Sequence, residues 1–118
     1  MTATDRELLV RIDDGIAHVT LNRPQARNAL TFGMYEELAK LCARAGRADD
    51  ADHIKAIVIA GAGDKAFAAG TDIGQFTDFD STEDGLRYEA KVESVISQIE
   101  SCQDPVIAAL HGAVTGGG

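Results

Sequence analysis

The chain has 118 residues, room for one small domain with one core and not for two. Apolar residues make up 45% and charged residues 25%, an ordinary globular balance, and no apolar run approaches the ~20 residues of a membrane span. Nineteen acidic against eleven basic side chains leave a net charge of −8. That argues against nucleic acid as a partner, but it leaves room for a polyanionic small ligand held by a local Arg or by backbone N–H groups.

Residues 1–20 interleave charges with Leu and Ile and lack a basic-then-apolar leader, so the expected location is the cytoplasm. Leu8-Leu9-Val10-Arg11-Ile12 and Ile16-Ala17-His18-Val19-Thr20-Leu21 are β-like runs with Asp14-Gly15, a type I′ turn pair, between them; they predict a hairpin. Asn22-Arg23-Pro24 breaks the pattern. From Thr31, an N-cap candidate, Met34, Leu38, Leu41, Cys42 and Ala45 repeat at helical spacing, Glu36 and Glu37 suit the early turns, and the pattern fades at Asp49-Asp50. Ala56-Ile57-Val58-Ile59-Ala60 is a continuous apolar run closed by Gly61, as in a strand buried on both faces.

A Gly- and Ala-rich loop spans residues 61–70. A second amphipathic helix is predicted over residues 83–101, with Val92, Val95, Ile96 and Ile99 on one face. Val106-Ile107-Ala108-Ala109-Leu110 follows as another buried-strand candidate, then His111-Gly112 and a closing Gly116-Gly117-Gly118. Strands alternating with helices predict an α/β fold, with no internal repeat or linker. Cys42 and Cys102 are far apart in helix-like stretches and show neither disulfide nor zinc spacing, so two reduced, partly buried thiols are expected. The three histidines share no metal spacing: His18 reads as a strand-face residue, His53 as surface and His111 as structural. Asp49, Asp50 and Asp52 read as a solvated turn.

Two small-residue loops follow the two predicted buried strands, at residues 67–73 and 111–117. Ligands of α/β sheets favour the carboxyl ends of strands. Backbone N–H groups from two such loops can converge on one oxygen and stabilise an oxyanion or enolate. The bland alternative is a tight turn at Ala68-Ala69-Gly70 and a flexible tail at the triple glycine. A competing motif is Gly61-Ala62-Gly63-Asp64-Lys65-Ala66, which matches a dinucleotide fingerprint after a strand. It requires a helix to start at that loop, and Gly70 interrupts with no amphipathic pattern behind it. No Gly-x-Ser-x-Gly elbow is present.

Taken in order, Leu21-Asn22-Arg23-Pro24 leading to Asn28-Ala29-Leu30, the Ile57-Val58-Ile59 strand, the Phe67-Ala68-Ala69-Gly70-Thr71-Asp72-Ile73 loop, the Pro105-Val106-Ile107-Ala108-Ala109 strand and the glycine loop resemble the crotonase superfamily, the enoyl-CoA hydratases and isomerases. The likeness covers nearly the whole chain. It implies a crotonase-like ββα-repeat (spiral) fold, with residues 1–118 as the N-terminal part of a single domain. It implies that Thr71 N–H and Gly117 N–H form an oxyanion hole for a thioester enolate. By the same resemblance Ala68, Ala69 and Gly70 line the path of the thioester and pantetheine arm, and Asp72 braces the loop. Ile73 and Gly116 complete the substrate-binding set, and Arg27 sits near the nucleotide phosphates of coenzyme A. The implied substrate is an acyl-CoA; no separate cofactor and no metal is expected. The family's acid–base carboxylates fall after the glycine triplet, so the 118-residue chain is expected to be inactive alone, while the intact protein is expected to form a homotrimer or a dimer of trimers. The alternatives are a non-catalytic acyl-CoA-binding fragment, a truncated remnant, and a dinucleotide-binding domain.

Overall fold

A computed structural model of the chain describes residues 6–45, 47, 49, 52–71 and 82–115. β1 (Leu8–Asp13) and β2 (Ile16–Leu21) form the expected antiparallel hairpin, in register from Leu8 opposite Leu21 to Asp13 opposite Ile16. Asp14 and Gly15 turn it with φ of 51° and 78°, both in the left-handed region that a type I′ turn demands. A 3-10 turn at Pro24–Ala26 leads to α1 (Phe32–Ala45). Thr31 caps this helix: its Oγ1 accepts from Met34 N–H at 3.4 Å and donates to Glu7 at 2.8 Å. Met34, Leu38, Leu41, Cys42 and Ala45 are buried as their spacing predicts, joined by Tyr35. The helix stops at Ala45, short of Asp49, and Glu36 ion-pairs with Lys91 on the second helix.

β3 (Ala56–Gly61), β4 (Ala66–Ala68), α2 (Thr82–Glu100), β5 (Val106–Ala109) and β6 (Ala113–Val114) follow. The order repeats a strand–strand–helix unit twice and begins a third. The main sheet runs β1-β2-β3-β5, with β2, β3 and β5 mutually parallel; β4 and β6 pair in a second, two-stranded sheet. The core joins Ala17, Val19, Leu21, Ile57 and Ile59 on one sheet face to the apolar face of α1 and to Val95 of α2.

Two expectations about burial need correction. β3 buries Ile57 and Ile59, but Val58 and Ala60 on its other face are only half-buried. β5 is not a buried strand here: Val106 is half-buried, and Ile107 and Leu110 are 52% and 60% exposed. The helices pack against a single face, and β5 lies at the sheet edge, so apolar runs that read as doubly buried have only one side covered. β4 and β6 were invisible in sequence because they are three and two residues long, with too few positions to show alternation. Among the described residues no helix is long and apolar enough to cross a membrane.

Cys42 and Cys102 are both free thiols, as expected, but sequence distance misleads about their separation. Packing of the helices brings Cys102 Sγ within 3.9 Å of the Cys42 carbonyl. Burial, and then the neighbouring Cys102, push the Cys42 thiol up from its ordinary value of 9.0 to about 11. Folding thus raises this pKa, so the neutral thiol's contribution to stability is complete below pH 9.0 and is lost as pH rises toward about 11. The urea midpoint should therefore fall across that window, and the fall should be shallower in a Cys42→Ala variant. Parallel pH profiles for the two proteins would show that this thiol does not contribute.

Candidate functional site

The site begins with the turn after β2. Arg23 is held by Glu7 at 3.5 Å and donates from Nη1 to the Ala29 carbonyl at 2.7 Å. Beyond the 3-10 turn, Arg27 and Asn28 both adopt left-handed conformations, with φ of 51° and 58°. Asn tolerates that region better than most residues. Among the described residues Asn28 is the one polar residue with a fully buried side chain, at 0% exposure. It exchanges two bonds with Arg23: Arg23 N–H donates to Asn28 Oδ1 at 2.9 Å, and Asn28 N–H to the Arg23 carbonyl at 2.8 Å. Asn28 Nδ2 spends both its hydrogens on the carbonyls of Ala62 (3.0 Å) and Ala66 (2.8 Å). One side chain thus clamps the exit of β3 and the entry of β4. Gly61 leaves space for it: a Cβ there would stand 2.8 Å from Asn28 Nδ2 and 2.6 Å from the Phe67 carbonyl.

The same turn grips the first small-residue loop. Ala69 N–H donates to the Arg27 carbonyl at 3.0 Å, Leu30 N–H to the Gly70 carbonyl at 2.7 Å, and Leu30 bridges Thr71 in parallel fashion. The Gly70 carbonyl and the Thr71 N–H belong to one planar trans peptide and point in opposite directions. With the carbonyl held by Leu30, the Thr71 N–H faces away from Leu30, and among the described residues no backbone acceptor takes it up. Tyr35 reaches from α1 to place its hydroxyl 2.8 Å from Thr71 Oγ1.

The second loop is laid against the first. β6 pairs with β4, and Ala113 N–H donates to the Lys65 carbonyl at 3.1 Å. Thr115 donates its N–H to the Ala68 carbonyl (3.2 Å) and its Oγ1 to the Ala69 carbonyl (3.1 Å). His111 Nε2 lies 3.0 Å from the Gly63 carbonyl. His18 is half-buried in β2 and His53 is exposed. Among the described residues no group of three or more His, Cys, Asp or Glu is arranged to hold a metal.

The structure thus brings Arg27, Ala68, Ala69, Gly70 and Thr71 together and sets Thr115 beside them. Asp72, Ile73, Gly116 and Gly117 lie outside the described residues. Ala68 is buried in the core at 0% exposure, so its methyl faces inward, whereas Ala69 is half-buried and Arg27 exposed. Beneath the loop, between α1, α2 and the sheet, is an apolar cavity of about 520 Å³ lined by Leu30, Tyr35, Phe67, Ile96 and Val106. The dinucleotide fingerprint lacks its geometry: bends at residues 62–65 lead into β4, and no helix starts there. Sequence reading missed the roles of Tyr35 and Thr115, and of Asn28 as a clamp. Only the motif position of Asn28 hinted at it.

The sequence model of the enoyl-CoA hydratase/isomerase family matches residues 11–118. The chain is 34% identical to the short-chain-enoyl-CoA hydratase of Clostridium acetobutylicum, over 87% of this chain and 38% of that protein. It is 37% identical to the mitochondrial 3-hydroxyisobutyryl-CoA hydrolase of Bos taurus, over 85% of this chain and 26% of that one. The crystal structure of an enoyl-CoA hydratase from Mycobacterium smegmatis matches with a TM-score of 0.78 at 36% identity, covering 92% of this chain and 41% of its own. The chain therefore spans about two fifths of the length of these hydratases.

Asn28→Ala is the direct test of the clamp. It strands the Arg23 N–H and the Ala62 and Ala66 carbonyls, and should cost roughly 3 kcal/mol, read as a lower urea midpoint at unchanged slope. A loss below about 0.5 kcal/mol would mean that water replaces the amide at little cost.

Proposed function

The chain belongs to the enoyl-CoA hydratase/isomerase family, and on that basis we propose that it holds the carbonyl oxygen of an acyl-CoA thioester between the backbone N–H groups of Thr71 and Gly117. The observation that carries this reading is the direction of the Thr71 N–H, turned away from Leu30 because Leu30 holds the Gly70 carbonyl at 2.7 Å. Thr115, two residues before Gly117, is bonded to the same loop, which supports a second donor close by.

Such a pair lowers the barrier where charge develops. When water adds to the β-carbon of an enoyl thioester, the alkene electron pair moves through the α-carbon onto the thioester oxygen. An N–H already aimed at that oxygen is worth roughly 3–4 kcal/mol in the transition state. The added water loses one proton and the α-carbon gains one, so the sum is addition of H–OH across the double bond. The groups that move these protons belong, in this reading, to the length of the relatives that the chain does not span. The intact protein is then the hydratase or isomerase, a homotrimer or dimer of trimers in the cytoplasm, and residues 1–118 by themselves bind without turning over.

The exposed Arg27, whose carbonyl is tied to Ala69, supports phosphate contacts at the mouth of the site. In the same reading Ala69 and Gly70 border the thioester, and the substrate-binding roles expected of Asp72, Ile73 and Gly116 fall on residues outside those described. The apolar cavity below is of a size that suits a short acyl chain.

The test is calorimetric titration of the 118-residue polypeptide with crotonyl-CoA, followed by infrared spectroscopy of an isotope-labelled thioester carbonyl. Binding, no hydrated product and a carbonyl band moved to lower wavenumber are expected. Steady hydration by this polypeptide would overturn the assignment of the proton-transfer groups. Binding with an unmoved carbonyl band would overturn the oxyanion hole.

A further inference from the structure

We propose that Tyr35 is a positioning residue that aims the Thr71 N–H through the hydrogen bond between its hydroxyl and Thr71 Oγ1, an inference that rests on the oxyanion-hole reading. The Leu30-to-Gly70 bond fixes only one side of the Gly70–Thr71 peptide. With the Leu30–Thr71 bridge it holds the backbone from the Leu30 side, and neither contact reaches the Thr71 side chain. The 2.8 Å contact between Tyr35 Oη and Thr71 Oγ1 supplies a second anchor, on Thr71 itself.

That anchor stands on rigid ground. Tyr35 is 4% exposed and lies in the second turn after the cap of α1. The start of this helix is held by Thr31 bonded to Glu7 and by Phe32, whose ring packs on Tyr88 of α2 at 4.6 Å. Filling the core explains the ring but not the hydroxyl, because burying a hydroxyl is costly unless it finds a partner. Thr71 is that partner. Burial pushes the Tyr35 phenol up, the bond to Thr71 draws it down and Tyr88 raises it further, so the group stays protonated and the bond persists through neutral pH.

Tyr35→Phe keeps the ring and removes the bond; Thr71→Val removes it from the other end and keeps the backbone N–H; Thr71→Ser keeps the bonding oxygen. In the absence of ligand, three-bond couplings should show one Thr71 rotamer in the parent protein and an averaged one in Tyr35→Phe. With labelled crotonyl-CoA bound, Tyr35→Phe and Thr71→Val should return the carbonyl band part-way to its free position and weaken binding about three- to tenfold. The double variant should be no worse than either single one, and Thr71→Ser should restore the shift. A full carbonyl shift in Tyr35→Phe, or effects that add in the double variant, would overturn the inference while leaving the oxyanion hole standing. No carbonyl shift in the parent protein would remove the oxyanion hole and this inference together. If Tyr35→Phe folds poorly, Thr71→Val and Thr71→Ser decide the same question.

Discussion

The carboxamide of Asn28 does for this chain what a strand ladder does elsewhere. Irregular backbone that is buried must still pair its N–H and C=O groups, and the Asn28 side chain completes that pairing at the Arg23 N–H and at the Ala62 and Ala66 carbonyls. An amide side chain offers one acceptor and two donors, and Asn28 has all three occupied, at 2.8–3.0 Å. Take this group away and the three segments lose their common fixed point inside the core, where the side chain is wholly enclosed.

From that point the order passes outward one bond at a time. Asn28 sets the turn that presents the Arg27 carbonyl to Ala69 and the Leu30 N–H to Gly70. Those two bonds anchor the loop immediately before Thr71. Stabilising a developing charge requires donors that are aimed before the charge appears, since reorientation during reaction costs what alignment would have gained. The proposed oxyanion hole draws on a loop tied at residues 69 and 70 to the turn after β2 and at residue 71 to α1.

The surface contributes little to this order. The Arg87–Glu83 and Arg11–Asp13 pairs are largely solvated, and such pairs are worth at most about 1 kcal/mol. What holds α1 and α2 in place is their common apolar seam against one sheet face. The same arrangement leaves the edge strands β1 and β5 without a further neighbour among the described residues, and leaves Ile107 and Leu110 exposed.

Local chemistry was enough to read much of this protein from its residues. Asp14-Gly15 dictates its turn because the left-handed region excludes most other pairs, Thr31 and the three- and four-residue spacing behind it dictate α1, and the ordered run of small-residue and glycine motifs points to the family. Those signals act within a few residues of themselves. The features that build the site act across longer gaps: Asn28 to Ala66, Tyr35 to Thr71, Thr115 to Ala69, and β4 to β6. No periodicity records such pairs, because a hydrogen bond between distant segments leaves no pattern in either segment alone. Burial was misjudged at β5 for a related reason: an apolar run states what a strand can bury, and only the packed fold decides whether anything lies over it.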